Sequence, residues 1–271
     1  MHKKRRKHRK TRLLLLALLI LSVIFYSKAS AFSKNEKINW YFKSGRNGEQ
    51  PILLDGSGIA EKYGSLTVGE KGDKTVYLTF DAGYGSENLE KTLDILKEND
   101  VKGAFFVLPG IIKNDFPLVM RMINEGHTVG NHSYSHSDMS KLSQEEIVSE
   151  LTKTEKFFEE KTSYKMSKYF RFPEGSFSEN ALIACKNNGY TPVFWSFAYK
   201  DWDNDRQMSP ETAKKKILSS VHDGMLVLLH PNSKTNALIL DSVIKEIKSR
   251  GYSFGTLDEL SEKTQKSIDI P

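Results

Sequence analysis

From residue 74 onward, short apolar runs alternate with longer segments that carry apolar residues at helical spacing. The runs are rich in β-branched and aromatic residues, as buried strands are. They predict strands at 76–80, 101–108, 128–131, 169–171, 192–197 and 225–229, with 253–256 leading into a last helix. Repeated strand–helix units favour a parallel sheet covered by helices. About seven or eight strands in succession favour an open or closed barrel over a doubly wound sheet, so the sequence predicts an α/β protein.

The segments between these strands predict the helices. They lie at 87–99, 117–125, 143–161, 178–188 and 236–250, with two more that begin near Ser209 and Leu257. Ser143 and Glu146 have the spacing of a capping box, and Pro210 stands at the first position of its helix.

Residues 1–31 have the composition of an export signal. They hold nine Lys and Arg and no acid, followed by the 14-residue apolar run 13–26 and the small residues Ala29-Ser-Ala31. The run is short for a membrane span of roughly 20 residues. The pattern predicts a signal peptide or an N-terminal membrane anchor. The protein is therefore expected outside the cytoplasm, secreted or anchored to the outer face of the cytoplasmic membrane, with membrane contact only through this segment.

The remaining chain is slightly acidic. Of 40 basic and 34 acidic residues in all, 31 basic and 34 acidic ones lie beyond residue 31, a net charge of −3 there. A nucleic-acid partner is therefore not expected, although the whole chain carries +6. Cys185 is the single cysteine, which excludes an intramolecular disulfide and a cysteine-based metal site and predicts a small buried apolar residue.

Four parts of the chain follow from these patterns. Residues 1–31 are the export segment, 32–73 an N-terminal extension, 74–262 the α/β domain and 263–271 a tail that is expected to fray. The extension contains two apolar islands, at 40–42 and 51–54, which suit packing against the main domain.

Polar side chains follow the predicted strands. Asp81 comes directly after the first strand, and groups past the carboxyl ends of parallel strands form the active sites of such folds. The alternative is a turn aspartate that caps the helix starting near Ser86. His132 and His136, four residues apart, are able to share a metal ion; the alternative is two unrelated loop histidines.

Three further groups stand at later strand ends. Arg171 lies between two phenylalanines, where an unpaired charge is costly, and it suits the binding of a carboxylate; the alternative is a solvated surface arginine. Asp201 and Trp202 suit the floor of a sugar site, whereas the neighbouring acids favour a surface loop. His230 follows five apolar residues and is either a satisfied core histidine or a general acid or base. A barrel would bring all these groups to one rim.

Five ordered motifs make the chain resemble the polysaccharide deacetylases of carbohydrate esterase family four, the NodB homology domain. They are TFDAG from Thr79, HSYSH from His132, RFPEG from Arg171, KDW from Lys200 and LLH from Leu228, spread over residues 74–260. The form TFDAGY and the stretches RFPEGSFSE, FWSFAYKDW and LLHPNSKTNA are most similar to the delta-lactam-biosynthetic branch, which acts on N-acetylmuramic acid. The resemblance implies a distorted (β/α) barrel of about seven parallel strands with an N-terminal extension.

The same resemblance implies a reaction and its residues. The reaction is hydrolytic removal of acetyl from an amino sugar of peptidoglycan glycan strands in the spore cortex. Asp81 would be the base that activates water and His230 the acid that protonates the leaving amine. Arg171 would hold Asp81, and Asp201 would orient His230. Contacts to the substrate are implied for Tyr84, Pro173 and Trp202, with the main-chain N–H near Tyr84 helping to bind the oxyanion.

The metal site departs from the family pattern. The resemblance implies that His132 and His136 bind a divalent metal, zinc or a similar ion, which polarises the acetyl carbonyl. Many members have TFDDG, whose second acid is the third ligand, but here that position is Ala82.

Three alternative functions stay open: an N-acetylglucosamine or chitin-oligosaccharide deacetylase, an O-acetyl esterase on the same fold, and a non-catalytic module that binds cell-wall glycan.

Overall fold

A computed structural model describes residues 34–45, 48–54 and 56–268. The predicted export segment lies outside these residues. No helix within the described ranges is both long enough and apolar enough to cross a membrane.

The strands are β1 Ile38–Asn39, β2 Phe42–Lys43, β3 Ile52–Leu53, β4 Thr75–Ala82, β5 Ala104–Val107, β6 Thr128–Asn131, β7 Tyr169–Phe170, β8 Ser176–Phe177, β9 Thr191–Pro192, β10 Met225–Leu229 and β11 Ser253–Phe254. The helices are α1 Ser57–Lys62, α2 Glu87–Glu98, α3 Pro109–Asn114, α4 Phe116–Asn124, α5 Gln144–Thr162, α6 Glu179–Asn187, α7 Pro210–Ser219, α8 Lys234–Ser249 and α9 Leu257–Ile268. Predicted bounds for β6 and β10 are confirmed, as are the capping box at Ser143 and the helix-starting Pro210.

Seven parallel strands form the curled sheet that was predicted. Its order is β10-β4-β5-β6-β7-β9, and β11 pairs with the first residues of β4. The central strand β4 is buried along nearly its whole length, which explains its continuous apolar sequence. Helices cover the outer face, and α2, α7 and α8 pack their apolar sides into the same core. The architecture is a distorted (β/α) barrel with an N-terminal extension.

The predicted strand 192–197 is mostly irregular, which corrects that assignment. Only β9 keeps strand pairing, and the residues after it make isolated bridges, Val193 with Leu66 and Phe197 with Val227. Leu66, from the extension, takes the edge next to this segment: its N–H donates to Pro192 O and its carbonyl accepts from Phe194 N. The bridge at Phe197 then closes the barrel onto β10.

The chain end is more regular than predicted. Helix α9 runs from Leu257 to Ile268, past the point where fraying was expected. Leu257 and Leu260 are buried on the sheet, and Lys263 pairs with Asp73 at 2.7 Å, so packing and charge hold this helix. Cys185 is a buried free thiol inside α6, as predicted.

Candidate active site

Asp81 lies at the carboxyl end of β4 and does not cap the following helix. Helix α2 begins after Ser86, whose hydroxyl accepts the N–H of Leu89 and provides the cap. The carboxylate of Asp81 is instead 11% exposed and faces the cleft at the strand ends. The alternative interpretation as a capping residue was therefore wrong.

Arg171 holds Asp81 from behind. Its side chain is fully buried, and Nη1 donates to Asp81 Oδ1 at 3.0 Å. Nε and Nη2 donate to the carbonyls of Val193 and Phe194, and the guanidinium lies over the ring of Phe106 at 4.3 Å. Each side of this buried cation therefore has a partner, which fixes the carboxylate opposite it. The surface-arginine alternative was wrong.

Asp201 and His230 form the second pair. Oδ1 of Asp201 accepts the ring Nδ1–H of His230 at 2.7 Å, and Oδ2 accepts the main-chain N–H of His230 at 2.8 Å. Asp201 is buried, whereas the His230 ring is 24% exposed and lines the cleft. The acceptor on Nδ1 leaves Nε2 directed away from Asp201 as the site for proton transfer.

Two polar residues that support Asp201 were not predicted from the sequence. Asn236, buried at the start of α8, donates from Nδ2 to Asp201 Oδ2 at 2.6 Å. Tyr199 in turn donates its hydroxyl to Asn236 Oδ1. A polar chain thus runs from Tyr199 through Asn236 and Asp201 to His230. The one signal for it in the sequence is a polar Asn in the first turn of an amphipathic helix, where the buried face is otherwise mostly apolar.

The surroundings shift the pKa values of Asp81 and His230 in opposite directions. Burial on its own would raise the pKa of Asp81, but His132, Arg171 and His230 act against burial and the pKa is lowered. Burial would lower the pKa of His230, but the hydrogen bond and charge of Asp201, with Asp81, raise it above the usual value. Asp81 is therefore an ionised base and His230 a group that holds a proton.

The HSYSH loop presents His132 and His136. His132 N donates to Val107 O, while Asn131 Oδ1 accepts the N–H of Ser133, and both Ser133 and His136 have left-handed φ values, 73° and 57°. The carbonyl of Arg171 accepts a hydrogen bond from His132 Nδ1 at 3.0 Å, so Nε2 carries the lone pair. Burial lowers the pKa of His132 to about 4, which keeps it neutral.

The donor set does not complete a catalytic metal centre. The rings of His132 and His136 are 5.0 Å apart, and His132 Nε2 is 3.6 Å from Asp81 Oδ2. Ala82 is buried and offers no ligand, and Arg171 already engages Asp81. In the described part of the chain, no group of three or more His, Cys, Asp or Glu side chains is placed to hold a metal ion. Catalytic zinc sites usually keep three protein ligands, so these residues do not fit one.

Asp81 and His230 line one cleft of about 880 Å³, with their partners Arg171 and Asp201 buried behind them. Tyr84 and Trp202 are exposed at its sides; Tyr84 accepts a hydrogen bond from Asn232, and the Trp202 ring lies 5.9 Å from that of His230. Pro173 is buried in the turn Pro173–Gly175 and is not among the lining residues, so its contact with substrate stays a prediction. The lining also contains residues that sequence reasoning missed: Trp40, Tyr41, Phe42, Glu174 and Asn232.

The sequence and fold of this chain are similar to those of known proteins. The family model for polysaccharide deacetylases matches residues 68–193. Peptidoglycan-N-acetylmuramic acid deacetylase PdaA of Bacillus subtilis is 38% identical over 238 residues, which is 88% of this chain and 90% of that protein. The solved structure of B. subtilis PdaA, a family 4 carbohydrate esterase, superposes with a TM-score of 0.80 over 83% of this chain and 97% of that one.

Two other relatives match a smaller share of this chain. Peptidoglycan-N-acetylglucosamine deacetylase PgdA of Listeria monocytogenes is 36% identical over 72% of this chain and 41% of its own length. A family 4 pseudoenzyme from Bacillus anthracis is 31% identical, with a TM-score of 0.67 over 73% of this chain and 68% of that one.

The chain belongs to the polysaccharide deacetylase family, carbohydrate esterase family four. It is a hydrolase of that family by descent and fold, and within the family it is similar to the PdaA branch. The family generally uses a divalent metal. This chain therefore combines the family's fold with a reduced set of metal ligands.

Proposed function

We propose that this protein hydrolyses the N-acetyl group of N-acetylmuramic acid in peptidoglycan, a step toward the muramic delta-lactam of spore cortex. The observation that carries the proposal is that Asp81, held by Arg171, and His230, held by Asp201, line the same cleft. The 38% identity to PdaA over nine-tenths of that protein supports muramic acid as the sugar. Action outside the cytoplasmic membrane agrees with this substrate and with the composition of residues 1–31.

Asp81 acts first, as the base. Its ionised carboxylate takes one proton from a water molecule while the water oxygen bonds to the acetyl carbonyl carbon. The carbonyl π electrons move onto oxygen, which becomes an oxyanion. The main-chain N–H near Tyr84 is the proposed donor for that charge. Arg171 keeps Asp81 aligned, because the guanidinium is itself fixed by two carbonyls.

His230 acts second, as the acid. Its imidazolium gives a proton to the sugar nitrogen as the C–N bond breaks and the oxyanion re-forms a carbonyl. Acetic acid and the free amine leave, and the proton held by Asp81 and the one lost by His230 are exchanged with solvent. Asp201 contributes by holding the ring and stabilising its charged form.

Two other activities, deacetylation of N-acetylglucosamine and hydrolysis of an O-acetyl ester, differ from the proposed one in their substrate. The identity to PgdA is the observation in favour of N-acetylglucosamine as the sugar, and an O-acetyl ester presents the same carbonyl to the same base. A non-catalytic glycan-binding role is favoured by Ala82 and by the similarity to a pseudoenzyme. The complete acid–base set argues against that role, because binding alone does not need it.

The test is mass spectrometry of peptidoglycan digests after incubation with the protein. Glycan strands whose muramic acid has been stripped of peptide are compared with chitooligosaccharide and acetylated xylan. We expect muramic acid that lacks acetyl, with little change in the other two. Acetate from chitooligosaccharide or xylan alone would replace the proposed substrate, and no acetate from any of them would favour the binding role.

A further inference from the structure

One wall of the cleft comes from the N-terminal extension. Trp40, Tyr41 and Phe42 line the cleft, although the family model begins only at residue 68. The 238-residue match to PdaA is longer than the chain from residue 68 to its end, so it includes part of this extension. The 196-residue match to PgdA is shorter than that stretch. The match to PdaA therefore includes the segment that forms this wall.

Trp40 anchors the wall to the domain. The preceding strand β1 pairs antiparallel with β8, and Trp40 N donates to Gly175 O at 2.9 Å. The indole Nε1 donates to Trp195 O at 2.8 Å, and the ring stacks on Phe194 at 4.3 Å. Trp40 is only 4% exposed, so its burial and hydrogen bonds fix the position of the residue that follows it.

Tyr41 presents its ring from this fixed backbone. Its carbonyl accepts the N–H of Leu54 at 3.1 Å, and Phe42 pairs with Leu53 through β2 and β3. The side chain is nevertheless 63% exposed, so folding gains little from it. Together with Tyr84 and Trp202, it is one of three exposed aromatic side chains that line the cleft. Aromatic lining with a few polar groups is typical of ligand sites.

Glu174 supplies a polar group next to this wall. It lines the cleft with a left-handed φ of 56°, which is uncommon for a residue other than glycine. Close packing holds the turn: a Cβ added to Gly175 would lie 2.6 Å from the Trp195 ring and 3.1 Å from Trp40 Cβ. Backbone strain of this kind, held in place by the surrounding packing, is common at binding sites.

We propose that Tyr41 and Glu174 form a subsite that binds a second sugar ring of the glycan chain, beside the ring that is deacetylated. The inference rests on the proposed function for the identity of the chain. The Tyr41 ring packs against the C–H face of the pyranose, and the Glu174 carboxylate accepts hydrogen bonds from its hydroxyls. Since N-acetylglucosamine alternates with muramic acid along the strand, the ring beside the deacetylated one is N-acetylglucosamine, whose hydroxyls are able to donate to the Glu174 carboxylate.

The test compares Tyr41→Ala with Tyr164→Ala, a control at a tyrosine that is 46% exposed and does not line the cleft. The kinetic constants for acetate release are measured on N-acetylmuramic acid alone and on stripped glycan strands of four and six sugars. We expect Tyr41→Ala to raise KM on the strands about 3- to 10-fold with kcat unchanged, and to leave the constants for the single sugar as they are in wild type. Tyr41→Phe should keep the wild-type KM, and Glu174→Gln, which retains one acceptor oxygen, should raise KM by a smaller factor than Tyr41→Ala.

The outcomes separate this inference from the proposed function. Equal KM values for Tyr41→Ala and Tyr164→Ala at every length would overturn the subsite, and so would a wild-type KM that does not change with length. If the wild type releases no acetate at all, the proposed function fails, and calorimetric titration of the six-sugar strand still tests the subsite. In that titration, equal affinity of Tyr41→Ala and wild type would overturn it.

Discussion

The two sides of the cleft differ in how completely their polar groups are partnered. On the acid–base side, Asp81, Arg171, Asp201 and His230 are held by direct hydrogen bonds between 2.7 and 3.0 Å. On the histidine side, His136 is exposed and Ala82 supplies no ligand. This chain has therefore kept its proton-transfer groups preorganised, while its metal-binding side is incomplete.

Asp81→Asn should have the largest effect. The amide is nearly the same shape and still accepts from Arg171, but it cannot take a proton from water. We expect acetate release to fall about 10³-fold or more. Thermal unfolding of the variant serves as the control and should change little. Activity equal to wild type would contradict the assignment of the base.

His230→Ala should follow, with a fall of about 10²- to 10³-fold in acetate release from the amide. An activated aryl acetate ester provides the matched comparison, since its leaving group does not need a proton. On that ester the loss should be less than about tenfold. An equal loss on both substrates would mean that His230 does not act as the acid.

Asp201→Asn should act through His230 and appear in the pH profile. The acid form of His230 is present below its pKa and lost as pH rises through it, so activity falls on the alkaline side. Because Asp201 raises that pKa, its neutral replacement leaves burial to lower it, and the fall should begin at a lower pH. We expect about a 10- to 100-fold loss at the wild-type optimum.

Asn236→Ala should have a smaller effect than Asp201→Asn. It removes one of the bonds to Asp201 but leaves the charge of Asp201 and both of its bonds to His230, so the alkaline limb should move little and acetate release should fall by less than in Asp201→Asn. An unchanged pH profile in Asp201→Asn would contradict the role of this whole polar chain.

Ala82→Asp should have the smallest effect on activity and a clear effect on zinc. It offers a third ligand beside His132 and His136, so calorimetry should show zinc affinity higher by about tenfold or more. Without metal, the buried carboxylate near Asp81 should lower the unfolding temperature, and zinc should restore it. Ala82→Asn is the control and should gain little. No gain in Ala82→Asp would mean that the two histidines do not form a metal site.

Local sequence patterns determined the strand-end placement of the chemistry. Asp81, Arg171 and His230 each follow an apolar run, and the carboxyl ends of parallel strands meet at one edge. The missing third ligand was also readable, because Ala82 sits within the same short motif as Asp81. These features depend on residues that are neighbours in sequence, which is why they were predictable.

Only the tertiary structure decided which distant segments complete the site. Trp40 binds Trp195 across 155 residues, and Leu66 takes the edge beside the irregular segment 192–197 that was predicted as a strand. Asn236 donates to Asp201, 35 residues away in sequence, from a helix whose sequence predicts only packing on the core. Such contacts follow from how the barrel closes and how the extension packs on it. No local periodicity carries that information, so the sequence predicted the acid–base residues and the fold determined the wall and the supports around them.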